Sequence, residues 1–405
     1  MNATPTRWFL GGLLQASHRM TMEELPAKVS EYAARAGLSG VLIYVADLQQ
    51  DVLRLLADQA PNAGNGDEGT PELRIEGTLA GRSFQLAEPV SANGPRPGPG
   101  AWWVPLAEGG ERVGVLRVST EEADEQSLRD ILDLAVVVTL MIIAKRPGSD
   151  YYYRLVRTRP MTVAAEMQWN LMPPRGFAND AVLIGAALEP AYEISGDTYE
   201  YALAGHTVHL AIFDAMGHDM AAGLAANLAV AACRNNRRQG AGLVETGEAI
   251  DRTLTEQFNG HGRHVTAVLA NLDTHTGRLS WITHGHHPPL ILRHGSRITR
   301  HCPPAHPLGT DLGIRATLCQ EQLQPGDRVV LYTDGITEAR DADGREFGLD
   351  RFTDFLIRHD ADRLPVPETL RRLTHSIMDY HGGRLQDDAT VLLMAWHGKQ
   401  PADRT

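Results

Sequence analysis

The sequence has few cysteines, no long apolar run and no excess of basic charge, and each shortage closes off a class of protein. Three cysteines in 405 residues, Cys233, Cys302 and Cys319, are an odd number without metal-type spacing. They read as reduced, buried thiols of a cytoplasmic protein. The longest apolar stretch, Leu134 to Ala144, is about half the length a bilayer requires. It reads instead as a packed helix at a domain or dimer interface, and leaves room for a homodimer. The first residues lack the basic region, apolar core and cleavage site of a signal peptide. With 38 basic and 50 acidic residues, the formal net charge is -12, which disfavours nucleic acid or an anionic membrane as partner. What remains is a soluble chain, 43% hydrophobic, with room for two or three domains.

Residues 1–147 form a first section. A helical pattern over about Leu13 to Ala36 precedes Gly37 and Gly40, which punctuate the start of an apolar strand, Val41 to Ala46. Val52 to Leu56 predicts a second strand. Two Gly/Pro/Asn-rich stretches, Pro61 to Pro71 and Ser91 to Gly100, predict loops. Trp102 to Leu106, a turn at Gly109-Gly110, and Val113 to Val118 give a hairpin pattern. A long helix over about Ala123 to Lys145 closes the section. This order resembles a GAF sensory domain, through Trp103-Val104-Pro105-Leu106 paired with Val113-Gly114-Val115-Leu116. An anonymous α/β interaction domain is the plainer alternative.

A helical linker follows at 148–172, broken or kinked at Pro160. Met161, Ala164, Met167 and Leu171 fall on one stripe there. Such a stripe suits core packing, and its place between domains also suits a coupling helix. From about Ala181 onward, strand patterns separated by short turns, at His275-Thr276-Gly277 and His294-Gly295-Ser296, demand antiparallel hairpins. Helices are predicted over about Met220 to Arg237, Leu243 to Phe258, Asp350 to Ile357 and Glu368 to Tyr380. The fold class is α+β.

Five aspartates in separated segments carry the chemistry. Asp197 lies in Ser195-Gly196-Asp197-Thr198-Tyr199, Asp214 in Phe213-Asp214-Ala215-Met216-Gly217-His218, and Asp334 in Tyr332-Thr333-Asp334-Gly335. Asp387 and Asp388 precede Ala389-Thr390. Singly, Asp214 reads as a helix N-cap, Asp334 as an Asp-Gly turn and Asp387-Asp388 as a charged loop tip. Together with Asp197, each at the margin of an apolar strand pattern, they fit one set of oxygen ligands for hard divalent cations.

From about residue 164 to 397 the chain resembles the PPM-type metal-dependent serine/threonine phosphatases, in their bacterial sporulation and stress-response branch. The matching segments keep family order. They are Ala164 to Gln168, Pro190 to Asp197, Phe213 to His218, Thr283 to Leu290, Pro307 to Gly309, Leu323 to Asp327, Leu331 to Arg340 and Asp387 to Thr390. The resemblance implies an αββα sandwich of two antiparallel sheets over 173–398, with a short tail at 399–405. It implies two Mn²⁺ or Mg²⁺ ions and a metal-activated water as nucleophile. Asp197, Asp214 and the Ala215 carbonyl would serve one ion; Asp214 would bridge to a second held by Asp334 and Asp387. The implied partner is a phosphorylated protein, such as an anti-sigma-factor antagonist, with the N-terminal domain in control.

Three residues depart from the family pattern: Glu200 stands for Asp, and Ser195 and Asp219 each stand for Gly. None removes a ligand, so an active enzyme is expected. The alternative is an impaired, phosphatase-shaped module that sequesters a partner, and a third reading is a two-metal hydrolase of nucleotides or small phosphate esters. No cysteine lies in a thiol-phosphatase loop. Gly64 to Gly69 matches a dinucleotide fingerprint but follows no strand and opens no helix. His284, His286 and His287 read as packing residues, and Asp341 to Gly344 as a hairpin turn lacking the later ligands of a calcium loop. No arginine stands beside the aspartate motifs in an obvious role.

Overall fold

The computed structural model describes every residue except 1–4, 58–69, 93–98, 123, 195, 259–262, 299, 383–384, 386 and 399–405. The predicted loops around Pro61 and Asn93, the Gly64 to Gly69 stretch and Ser195 therefore lie wholly or largely outside the described residues. The chain divides into two compact units, Met1–Pro160 and Met161–Thr405.

The first unit contains α1 (Pro5–Ser17), α2 (Leu25–Ala34), β1 (Leu38–Ala46), β2 (Val52–Leu56), β3 (Glu72–Arg74), α3 (Leu79–Leu86), β4 (Val90–Ser91), β5 (Gly100–Glu108), β6 (Glu111–Thr120), α4 (Glu125–Lys145) and α5 (Asp150–Val156). Its six-stranded sheet has the order β3-β2-β1-β6-β5-β4. Strand periodicity gives the sheet two apolar faces. Ile43, Val45, Leu116 and Val118 pack with residues of α1, α2 and α4, while Tyr44, Leu53 and Val115 pack with Phe84 of α3. Two expectations change here. The single helix expected over Leu13 to Ala36 is two, because Thr21 and Glu24 exchange backbone-to-side-chain hydrogen bonds and start a new helix at Leu25. The helix α3, not foreseen, begins at the Thr78 cap. There a Cβ on Gly81 would lie 1.7 Å from the Ile75 carbonyl oxygen.

The second unit contains α6 (Val163–Leu171), β7 (Gly176–Ala178), β8 (Val182–Glu189), β9 (Asp197–Ala204), β10 (Thr207–Ala215), α7 (Met220–Arg238), α8 (Leu243–Phe258), β11 (Val265–Asp273), β12 (Arg278–His284), β13 (Leu290–Arg293), β14 (Ser296–Ile298), β15 (Cys319–Gln322), β16 (Arg328–Tyr332), α9 (Asp334–Thr337), α10 (Leu349–Ala361), α11 (Val366–Tyr380) and β17 (Ala389–Trp396). One sheet runs β15-β12-β11-β10-β9 and the other β14-β13-β16-β17-β8-β7. Every named strand pairing in both is antiparallel. Tyr199, Tyr201, Leu210 and Ile212 from the first sheet and Ile184, Leu331, Leu392 and Met394 from the second share one core. Alternate residues face outward, so Ala211, Phe213 and Ala215 meet the small side chains of α7, Ala222, Ala226 and Ala229. On the other side, Val330, Val391 and Leu393 meet α10 and α11. The result is an αββα sandwich.

The residues expected to link two domains divide between the units. In the first, Leu48 N–H donates to the Val156 carbonyl at 3.0 Å, tying down α5. In the second, Trp169 Nε1 donates to the Ala191 carbonyl at 2.7 Å, tying down α6.

The cysteine expectation is corrected. Cys302 and Cys319 form a disulfide, because pairing of β15 with β12 (Trp281 opposite Cys319) brings the two ends of the 302–319 segment to 6.0 Å between Cα atoms. Cys233 is free and buried, and burial pushes its thiol up to about 12. Cysteine usage therefore no longer supports a reducing compartment. Among the described residues, no helix is long and apolar enough to cross a membrane.

Candidate active site

The carboxylates meet at one end of the sandwich because strand periodicity delivers them there. Asp197 opens β9 and lies directly opposite Asp214 near the end of β10. Both occupy the face that carries Tyr199, Leu210 and Ile212 into the space between the sheets. The second sheet contributes from the same end. Its strand β16 stops two residues before Asp334, and β17 starts just after Asp387 and Asp388, with Tyr332 paired to Val391.

Backbone and threonine hydrogen bonds fix this end. Thr333 Oγ1 donates to Asp197 Oδ2 at 2.6 Å, while Thr390 N–H donates to Thr333 Oγ1 at 2.9 Å. The Gly196 N–H donates to Asp388 Oδ2 at 2.8 Å. These bonds tie one sheet to the other across the site. Adjacent aspartates thereby do different work. Asp388 is buried and holds the Gly196 turn, whereas Asp387 is exposed beside Asp334. Two glycines permit the close approach. A Cβ on Gly196 would lie 2.8 Å from the Ala215 carbonyl oxygen and 2.9 Å from that of Gly217. A Cβ on Gly335 would lie 2.1 Å from the Asp388 carbonyl oxygen.

The electrostatics are those of crowded like charges. Burial, then Asp214 and Asp388, raise Asp197 well above the usual carboxylate range. Burial, then Asp334 and Asp387, push Asp214 up to about 7. Asp387, although its residue is exposed, is raised by partial desolvation of its carboxyl, and Asp334 adds to it. Hard oxygen donors that repel one another in this way match a hard divalent cation, which would remove the repulsion. Among the described residues, no group of three Asp, Glu, His or Cys side chains could hold an ion alone. A backbone carbonyl such as Ala215's, together with water, would complete a shell, as Mg²⁺ prefers. A cavity of about 280 Å³ opens beside Asp334 and Asp387, bordered also by Glu338, Arg340 and His381.

The other sequence signals resolve simply. His284 Nδ1 lies 3.1 Å from the His306 carbonyl oxygen, and the His287 ring stacks on Tyr332 at 5.6 Å. His286 is buried and pushed down to about 4. These histidines pack. Asp341 Oδ1 accepts from the backbone of Asp343 and Arg345, closing a hairpin turn. Both described departures have basic partners: Glu200 pairs with Arg234 and Arg237, and Asp219 with Arg263. Sequence reasoning missed Thr333 and Arg263. Thr333 carried a signal, a hydroxyl ending an apolar strand next to a candidate ligand; Arg263 carried none.

Two stacked antiparallel sheets with this carboxylate end define a PP2C-type phosphatase domain, a hydrolase. Residues 204–397, just under half of the chain, match the family of stage II sporulation protein E (SpoIIE). Asp214, Ala215, Asp334 and Asp387 lie inside the match; Asp197 precedes it. Phosphoserine phosphatase RsbU of Bacillus subtilis is 24% identical over 243 residues, covering 57% of this chain and 68% of RsbU. Protein IcfG of Synechocystis is 24% identical over 240 residues, 52% of this chain, of which this chain spans only 37%. Among solved structures, the RsbU and RsbW domains of Rv1364c from Mycobacterium tuberculosis align with a TM-score of 0.48 and 25% identity. That alignment covers 55% of this chain and 63% of the other.

Proposed function

We propose that the second unit hydrolyses phosphoserine or phosphothreonine in a protein, using two Mn²⁺ or Mg²⁺ ions. The observation that carries this is the facing pair Asp197 and Asp214, both raised by burial first and then by neighbouring carboxylates. Asp197, Asp214 and the Ala215 carbonyl would hold one ion; Asp214, Asp334 and Asp387, with waters completing the shell, would hold the other. When bound, such a pair supplies an acidified water and neutralises phosphoryl oxygens. The chain's own part is to hold these oxygens in place. Thr333 orients Asp197, Asp388 anchors the Gly196 turn, and Gly196 leaves space for the Ala215 carbonyl. RsbU, a phosphoserine phosphatase, supports phosphoserine as the group attacked.

The substrate in this reading is a small phosphorylated regulator such as an anti-sigma-factor antagonist, met in the cytoplasm. The first unit would act as a GAF-like sensory domain over 1–147, its signal passing through 148–172, with homodimers formed through those parts. Its six-stranded sheet and separate core support an independent module. The sequestering alternative rested on Glu200 and Asp219; Glu200 pairs with Arg234 and Arg237 and Asp219 with Arg263, so neither departure takes a ligand's place.

Phosphate release from a phosphoserine peptide panel, with Mn²⁺, with EDTA and with Asp334→Ala, tests the chemistry. Release that needs both Mn²⁺ and Asp334 is expected; release indifferent to both would overturn the two-metal assignment. Removing residues 1–147 should change turnover or Mn²⁺ affinity. Unchanged values of both would overturn the regulatory role.

A further inference from the structure

The carboxylate end has an electrostatic difficulty: a phosphate monoester dianion must approach a cluster of aspartates. Basic groups near it are few. Arg340 lines the cavity beside Asp334, but its guanidinium is committed to Glu346 and the Gly344 carbonyl. His218 is within electrostatic reach of Asp387.

Arg263 is placed differently. Val265 pairs with Ala215 in the β10–β11 ladder, and Met216 N–H donates to the His264 carbonyl at 3.0 Å. Continuing that register puts Arg263 opposite Gly217, three residues beyond Asp214 in the turn that leads into α7. The side chain lies over this turn. A Cβ on Gly217 would be 3.4 Å from Arg263 Nη1, which also faces the Met216 carbonyl oxygen at 3.4 Å. Nη2 donates to Asp219 Oδ2 at 2.8 Å. An arginine side chain is long enough to reach from that position toward the space above Asp214.

The partner of Arg263 makes the contact exchangeable. Asp219 keeps 56% of its side chain exposed and Arg263 28%. An ion pair so open to water contributes little to stability. Asp219 also has a separate task, since its Oδ1 accepts from the Ala222 N–H and caps α7. The two oxygens of one carboxylate thus divide between holding a helix and holding a guanidinium.

We propose that Arg263 positions the substrate's phosphoryl group at this site, and that Asp219 holds it until substrate arrives. The proposal rests on the phosphatase reading above. A guanidinium binds phosphate oxygens bidentately and more strongly than it binds one exposed carboxylate oxygen. Arg263 is a positioning residue here: it orients the ester and takes no proton.

The test uses the full chain with saturating Mn²⁺ and measures steady-state turnover of a phosphoserine peptide and of p-nitrophenyl phosphate, with inhibition by inorganic phosphate. Arg263→Ala should raise both KM for the phosphopeptide and Ki for phosphate about tenfold, as loss of a charge-assisted hydrogen bond predicts. Its kcat should change much less, and Mn²⁺ affinity by calorimetry should stay the same. Arg263→Lys should recover part of the loss. Asp219→Asn keeps the helix cap but frees the guanidinium, so it should lower Ki for phosphate. Unchanged KM and Ki in Arg263→Ala would overturn the proposal. So would Asp219→Asn weakening phosphate as Arg263→Ala does, because the pair would then be a structural brace. A wild-type chain without turnover on any phosphomonoester would instead bring down the phosphatase reading, and this one with it.

Discussion

Two carboxylates three residues apart on β9, Asp197 and Glu200, are equally buried at 2% exposure, yet they live in opposite surroundings. Their odd spacing sends them to opposite faces of the sheet. Glu200 faces α7 and meets Arg234 and Arg237, and Arg234 also donates to the Leu171 carbonyl at the end of α6. Asp197 faces the gap between the sheets, where its neighbours are Asp214 and Asp388 and its side-chain donors are neutral threonines, Thr333 first among them. A buried charge must be paired or must cost stability. Glu200 is paired within the chain and is architecture. Asp197 has no basic partner among the described contacts, and a bound cation would supply what the chain does not. The contrast separates a structural carboxylate from a candidate ligand without reference to any relative.

Breaking the contrast should give effects of opposite sign. Glu200→Gln leaves two arginines facing a neutral amide, and loss of one partner from a buried pair costs about 3 kcal/mol. Asp197→Asn removes a buried charge already opposed by its neighbours, so the metal-free protein should keep or gain stability. Urea denaturation in EDTA measures both. A loss of similar size in both variants would show that Asp197, too, is compensated inside the chain. With Mn²⁺ present, Asp197→Asn should lose the stabilisation that ion binding confers on the wild type.

Much of this contrast was legible in the sequence. Alternation in Val208 to Phe213 placed Asp214 on a strand end, and the family order of motifs placed Asp197, Asp334 and Asp387 beside it. The antiparallel α+β class followed from the short turns and hairpins, and the two-sheet sandwich from the resemblance. Other features depended on long-range geometry that local pattern does not encode. The Cys302–Cys319 bond exists because β15 pairs with β12, and nothing between residues 302 and 319 announces that pairing. Glu200 looked like a departure near the site because sequence distance from Asp197 is short. Strand periodicity turns it away, and its arginines arrive from a helix more than thirty residues later. The separate duties of Asp387 and Asp388 likewise appear only once the Gly196 turn is docked against the second sheet.

A smaller effect sharpens the comparison through pH. In the metal-free protein Asp214 is raised from 3.8 to about 7 by burial and by Asp334 and Asp387. Between those values the folded chain holds a proton that the unfolded chain has released. Stability then falls as pH rises, because the folded state binds more protons. The contribution is fully present below pH 4 and is lost as pH passes through about 7. Asp214 is only partly buried, so solvent screening should hold the effect below that of Glu200→Gln. Asp214→Asn cannot titrate and should flatten the slope between pH 5 and 7.5 in EDTA. Glu200→Gln should leave that slope as it is, since Glu200 lies on the other face of β9 and is not among the groups that raise Asp214. An unchanged slope in Asp214→Asn would mean that the crowding of carboxylates is relieved by rearrangement instead of proton uptake. In that case the contrast between the two faces of β9 would weaken from the side of the site.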